Sequence, residues 1–324
     1  MRRPLPDWTP AGVIPAALLP FSEDYAIDER CATDHLRRLG SVRGVSGITI
    51  NGHASEVSAC TFDEQRRILD LALGEIGNKV PIVCGVFADG ALEAACIARE
   101  AEQAGASALL VFPQPTMAMG GQLRPEMAIN HFRLIADASS LPLIAFQYSA
   151  ASGLAYSFNT MLAMFEAVPA IRAIKDWSEP MVHERNVRTF QQLDRPVNVL
   201  STNSSWLMSS LVMGCKGLLS GAGSVVASQQ VELFEAVQRN DLVAARAVND
   251  CLYPLQQAFY APPFLDMHNR MKEALVILGQ FRSATVRPPL LKLDAGEIEL
   301  VRAALIASGL LGEPRIAHPF RNRS

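Results

Sequence analysis

Lysine is the residue this chain nearly does without: five occur, at positions 79, 175, 216, 272 and 292, among 29 basic residues in 324. Charge of either sign is thin as well. Charged side chains make up 19% of the chain and the formal net charge is −3, which argues against the bulk electrostatic attraction that nucleic acid or an anionic membrane demands. Long apolar runs are missing. The first, Val13 to Leu19, is short and interrupted by Pro15, so it makes neither a signal-peptide core nor a membrane span, and a cytoplasmic protein is expected. The six cysteines form no C-x-x-C pair, and several fall in apolar segments where a reduced thiol behaves as a small hydrophobe. No H-E-x-x-H, H-x-x-E-H or clustered Cys/His pattern occurs, so neither a metal site nor a cofactor is expected. The Gly/Ser turn from Leu219 to Ser224 lacks both the lysine of a P-loop and the spacing of a dinucleotide fingerprint.

What is present is a hydrophobic fraction of 49% in a length that suits one large α/β barrel, which takes about 250 residues plus extensions. Eight apolar runs read as strands: Val13 to Leu18, Val45 to Ile50, Val80 to Gly85, Ala108 to Phe112, Leu141 to Phe146, Ala170 to Lys175, Val197 to Ser201 and Gly217 to Ser220. Between them lie stretches with helical apolar spacing, such as Asp28 to Leu39, Phe62 to Leu73, Ala91 to Ala104, Pro125 to Ala138 and Glu179 to Leu193. That alternation predicts a (β/α)8 TIM barrel over residues 1–224. Residues 225–310 read as the last barrel helix and a C-terminal helical appendage, and 311–324 as a polar, basic tail that is loosely held or lies on a neighbour.

In such a barrel the chemistry gathers at the C-terminal ends of the strands. Lys175 ends the sixth. With period-2 alternation it shares a face with Ile171 and Ala173, where burial favours the neutral amine and makes it a nucleophile toward a carbonyl carbon. From the local residues alone, a lysine that snorkels to solvent or pairs with Asp176 fits equally. The second strand runs into N-G-H-A-S-E, residues 51 to 56, where Gly52 permits a tight turn, backbone amides can hold a carboxylate and His53 supplies an imidazole. Phe146 and Tyr148 end strand five; Tyr148 and Tyr156 serve equally well as packing residues.

These pieces, in this order, resemble the dihydrodipicolinate synthase and N-acetylneuraminate lyase family of pyruvate-type class I aldolases. L-P-F at 19 to 21 is similar to the family's first-strand T-P-F, and N-G-H-A-S-E stands in the place of G-T-T-G-E. A-I-K-D at 173 to 176 is similar to the G-x-K-D lysine segment; P-I-V-C-G at 81 to 85, G-C-K-G-L-L-S at 214 to 220, M-K-E-A-L at 271 to 275 and V-R-P-P-L at 286 to 290 complete the series. The resemblance spans Gly12 to Leu310. It implies that Lys175 is a Schiff-base lysine, that Gly52, Ala54 and Ser55 lie in the carboxylate-binding segment, and that Phe146, Thr202 and Leu219 lie beside the substrate.

Departures from the family pattern carry as much information. His53 and Ala54 replace its two hydroxyl residues, Phe146 replaces the proton-relaying tyrosine of Y-N-x-P, Pro115 aligns with a second tyrosine, and Ala151 aligns with the arginine that anchors the aldehyde in the lysine-biosynthetic synthase. The synthase reaction itself is therefore not expected. The resemblance implies a lyase or aldolase acting on a 2-keto acid, pyruvate or a 2-keto-3-deoxy acid, with an aldehyde as the other component. His53 is the expected proton carrier, with Tyr148 behind it. Two alternatives stand: a dehydratase of a 2-keto-3-deoxy sugar acid working through the same Schiff base, and a barrel that binds a keto acid without turnover. A homo-oligomer, tetramer or dimer, is expected, with the appendage and the Met-rich loop Met117 to Gly121 facing neighbours.

Overall fold

In the computed structural model, which describes residues 8–312, strands and helices alternate in the order β1 (Gly12–Pro15), α1 (Glu29–Ser41), β2 (Ile48–Ile50), α2 (Phe62–Ile76), β3 (Ile82–Val86), α3 (Ala91–Ala104), β4 (Ala108–Val111), α4 (Pro125–Ala138), β5 (Leu143–Gln147), α5 (Phe158–Ala167), β6 (Ile171–Asp176), α6 (Pro180–Phe190), β7 (Asn198–Ser201), α7 (Leu207–Val212), β8 (Gly217–Ser220) and α8 (Gly223–Gln238). Three further helices follow: α9 (Leu242–Phe259), α10 (Met267–Ile277) and α11 (Ala295–Ala307). The tail from Glu313 to Ser324 lies outside the described residues.

All eight strands pair in parallel, β1 next to β8 and each of the others next to its sequence neighbour. Parallel bridges from Val13 to Val45 and from Ala16 to Thr49 bring β1 beside β2 and close the barrel. Strands of three to six residues, almost wholly buried, carry Val, Ile and Leu on both faces, as a sheet covered by helices outside and filled with side chains inside requires. Each such side chain contributes about 1.5–3 kcal/mol by leaving water.

Helix starts follow local chemistry. The Asp28 side chain accepts from the Cys31 amide at the head of α1, and Thr61 and Glu64 close a reciprocal capping box on α2. Ser157, Asp241 and Asp294 cap α5, α9 and α11 in the same way as Asp28 caps α1. Helix α8 begins at Gly223 with a helical turn that precedes a break at Val226, whose φ of −124° and ψ of 37° leave the helical region. Among the described residues no helix is long and apolar enough to cross a membrane.

Candidate active site

Strand alternation sorts the side chains of β6. Asp176 points out of the barrel toward α6, where its carboxylate accepts from His183 Nδ1 at 2.9 Å, Asn186 Nδ2 at 3.1 Å and the Ser178 amide at 3.0 Å. Lys175 therefore points inward, with Ile171 and Ala173. Pairing within the Lys175–Asp176 dipeptide, one of the alternatives left open by the local residues, does not occur: the carboxylate is engaged on the opposite face. Snorkelling does not occur either, since Lys175 is only 5% exposed.

The neighbour of Lys175 across the β5–β6 ladder is Phe146, and the ammonium nitrogen sits 4.1 Å from that ring's centroid. Burial lowers the Lys175 amine from its ordinary range to about 7, and no carboxylate among the described residues acts on it to restore the charge. Burial thus favours the free amine over the ammonium.

His53 opens the 3-10 turn His53–Ser55 that follows β2. The turn can approach the sheet this closely because position 85 is glycine: a Cβ there would stand 1.8 Å from the Asn51 carbonyl oxygen. His53 Nε2 is hydrogen bonded to the Tyr148 hydroxyl, and its ring packs edge-on against Phe112 at 4.9 Å and Tyr148 at 5.8 Å. Burial first, and the Lys175 charge second, lower His53 to about 3, so the imidazole is neutral. Burial pushes the Tyr148 phenol upward, which keeps it protonated. The geometry thus brings together Lys175, His53, Tyr148 and Phe146.

The remaining sequence candidates divide. Ser55 donates its hydroxyl to Ala17 O at 2.8 Å and its amide to Gly52 O at 3.0 Å, so it braces the turn. The first amides of a 3-10 turn have no partner inside it, which leaves those of His53 and Ala54 outside the turn's own hydrogen bonding. Thr202 continues the β6–β7 ladder by donating its amide to Asp176 O at 3.1 Å, which seats it beside the Lys175 strand. Leu219 faces the barrel lumen, because its neighbour Ser220 turns outward to accept from Gln230 of α8.

A second imidazole, from the appendage, was not among the sequence candidates. His268, in the first turn of α10, lies over Gly221 just past β8, where a Cβ would come within 2.9 Å of His268 Nε2. Burial, followed by the charges of His53, Lys175 and Lys272, lowers it to about 3. One helical turn further on, the fully buried Lys272 ammonium is ion-paired with Glu56 and donates to Thr285 O at 2.9 Å. The other oxygen of Glu56 accepts the Arg287 amide at 2.9 Å, and the Arg287 guanidinium binds Glu64 and sits 4.4 Å from the Phe21 ring centroid. Glu56 itself holds a left-handed backbone at φ 51°. This network ties α10 to the His53 turn. The signal in the sequence was M-H-N-R-M-K, a histidine and a lysine four residues apart on one helix face. Among the described residues no group of three or more His, Cys, Asp or Glu side chains is arranged to hold a metal ion.

The chain is thus a closed parallel (β/α)8 barrel with a buried lysine at the C-terminal end of its sixth strand, beside the hydrogen-bonded His53–Tyr148 pair. Residues 9–308 match the dihydrodipicolinate synthetase family, and the chain belongs to that family of lyases. A 4-hydroxy-tetrahydrodipicolinate synthase of Methanopyrus kandleri is 28% identical over 93% of this chain and 97% of its own. An uncharacterised DapA-like lyase of Halobacterium salinarum is 27% identical over 93% and 94%. Among solved structures, a prophage protein of the same family from E. coli K12, in complex with pyruvate, superposes with a TM-score of 0.85 at 24% identity, covering 93% of this chain and 99% of that one. A monomeric dihydrodipicolinate synthase variant gives 0.83 at 23%, over 93% and 97%. At those identities the structural likeness speaks for the fold.

Proposed function

We propose that this chain is a Schiff-base lyase of the aldolase type, which condenses Lys175 with the ketone of a 2-keto acid. The observation that carries the reading is the state of Lys175: buried, lowered to about 7, seated on Phe146 and free of any carboxylate partner. A solvated lysine would be protonated and unreactive at neutral pH.

In the proposed sequence the Lys175 amine attacks the ketone carbon, the resulting carbinolamine loses water and an iminium forms. The iminium draws electrons from the adjacent carbon, whose proton leaves to give an enamine. The enamine carbon then bonds to an aldehyde carbon, or, in reverse, that bond breaks and the aldehyde departs. Each stage needs a proton carrier, and the hydrogen-bonded His53–Tyr148 pair serves as it: a neutral imidazole and a protonated phenol can pass a proton between them. His268 is the second neutral imidazole at the mouth, and it takes the aldehyde side. The His53 and Ala54 amides receive the keto acid's carboxylate.

The synthase reaction named for several relatives is not what this site favours. Phe146 cannot relay a proton, and the exposed position Ala151 offers no guanidinium to an aldehyde bearing a carboxylate. We place the protein in the cytoplasm as a homo-oligomer; exposed Leu242, Val243 and Tyr253 on α9 supply apolar surface for self-association. Borohydride trapping with pyruvate, read by intact mass and peptide mapping, tests the reading. An adduct confined to Lys175 and lost in Lys175→Ala is expected, whereas no adduct with any 2-keto acid in folded protein overturns it.

A further inference from the structure

Four consecutive strands end in aromatic rings at the mouth of the barrel: Phe87 one residue past β3, Phe112 one past β4, Phe146 and Tyr148 at the end of β5, and Trp177 one past β6. The rings touch in that order, with centroids 5.5 Å apart for Phe87 and Phe112, 5.4 Å for Phe112 and Phe146, 4.3 Å for Phe146 and Tyr148, and 5.9 Å for Tyr148 and Trp177. Phe264, on the turn before α10, meets Trp177 at 6.1 Å and extends the surface outward. From the middle of the row outward exposure rises, from 1% at Phe112 and 3% at Phe146 to 44% at Phe264, while Phe87 at the other end is half-buried. One apolar path therefore leads from the Lys175 amine to solvent.

The cations of the neighbouring network are paired, Lys272 with Glu56 and Arg287 with Glu64, and the segments that follow β3 and β6 and precede α10 carry the acidic Asp89, Glu179 and Asp266. A substrate tail bearing a carboxylate or several hydroxyls would leave its polar groups unpaired against rings. A flat aromatic tail would be covered on face and edge.

We propose that the carbonyl partner of the enamine is an aromatic aldehyde, so that the protein forms and cleaves 4-aryl-4-hydroxy-2-oxo acids. The inference rests on the Schiff-base reading above and adds the class of the second substrate. In the forward step the enamine carbon of the lysine-bound pyruvate forms one carbon–carbon bond to the aldehyde carbon. The carbonyl π pair becomes a hydroxyl by taking a proton from the imidazole side of the site. Water then hydrolyses the iminium, which breaks the carbon–nitrogen bond, returns the Lys175 amine and releases the 4-aryl-4-hydroxy-2-oxo acid. Nothing is oxidised or reduced.

The test uses the full chain with pyruvate and three aldehydes, benzaldehyde, glyceraldehyde and succinic semialdehyde, with acetaldehyde as the small reference; products are identified by mass spectrometry and compared as kcat/KM. Benzaldehyde is expected to lead glyceraldehyde and succinic semialdehyde by about 10²-fold, the scale set by burying one ring. Phe87→Leu and Trp177→Leu, which keep apolar bulk but remove the ring, should lower the benzaldehyde-to-acetaldehyde ratio of kcat/KM several-fold. A preference for glyceraldehyde or succinic semialdehyde, or turnover of none of the aldehydes, overturns the inference while pyruvate is still trapped on Lys175. If pyruvate itself is not trapped, the Schiff-base reading falls and the inference with it.

Discussion

Replacing Lys175 with methionine removes the amine and keeps most of the side chain's length, and the structure dictates both sign and size of the effect. In the unfolded chain the lysine titrates near 10.5; in the barrel burial brings it to about 7. A depressed lysine means that the folded protein resists the proton the unfolded chain accepts. The penalty is full below about pH 7 and is relieved as pH rises toward 10.5, so the wild type gains stability with pH across that window. Each tenfold loss of proton affinity corresponds to about 1.4 kcal/mol, so the penalty approaches about 5 kcal/mol at low pH. Methionine carries none of it. Lys175→Met should therefore exceed the wild type in unfolding free energy at about pH 7, and the excess should shrink by about 2 kcal/mol by about pH 9. Urea denaturation of both proteins at three pH values reads the difference directly, because all other titrating groups cancel in it. Two parallel stability curves would refute the reasoning: they would mean that Lys175 keeps its charge in the folded state, and the nucleophile would have no physical basis.

The lowered proton affinity of Lys175 also predicts that the rate of imine formation with pyruvate, followed by rapid borohydride quench, falls about tenfold per pH unit below about pH 7 and levels off above about pH 8. His53→Gln, Tyr148→Phe and His268→Asn should each slow exchange of the pyruvate methyl protons with deuterated solvent by about 10²-fold, measured by NMR, with the trapped adduct still formed on long incubation; unchanged exchange in all three would remove the imidazoles from the chemistry. Lys272→Met strands the buried Glu56 carboxylate and should cost about 3–5 kcal/mol in urea unfolding, and adding Glu56→Gln should recover much of that loss; equal costs for the single and double variants would contradict the ion-pair assignment. Burial pulls His183 down, but its bond to Asp176 prevails and raises it to about 9. Its stabilising contribution is thus complete below about pH 6.5 and lost as pH rises through about 9, so the deficit of His183→Asn should be largest at low pH and should narrow in alkaline buffer.

The strands were legible because each is a short, mostly apolar run bounded by turn residues, and eight of them in alternation with helical patterns admit few folds. Lys175 stood out for two local reasons, the scarcity of lysine and its place in the period-2 pattern with Ile171 and Ala173. His53 and Tyr148 could be proposed separately, since each follows a strand, but their hydrogen bond joins residues 95 apart in sequence and is set by barrel closure. His268 was out of reach of strand-end reasoning, as it comes from a helix beyond the barrel. The partner of Asp176 was equally hidden. Local sequence offered Lys175 as its counter-ion, and only the alternation of β6 sends the carboxylate to His183 instead.

The two buried lysines meet opposite fates, and the difference explains how one barrel holds both. Lys272 reaches a carboxylate, Glu56, whose geometry is fixed by the Arg287 amide, so desolvation is offset by an ion pair and the side chain becomes a tie between α10 and the His53 turn. Lys175 reaches no carboxylate, because its own strand turns Asp176 to the far side of the sheet, and desolvation goes unopposed into a lowered proton affinity. Two arrangements follow from those separate outcomes. Asp176 and His183 neutralise each other outside the barrel, so the strand end is held without bringing a negative charge to the amine. Glu56 and Lys272 neutralise each other at the rim, so the His53 turn and the His268 helix are docked together without bringing a free cation to the mouth. The ion pair that anchors the appendage also holds His268, one helical turn away, over Gly221 at the end of β8.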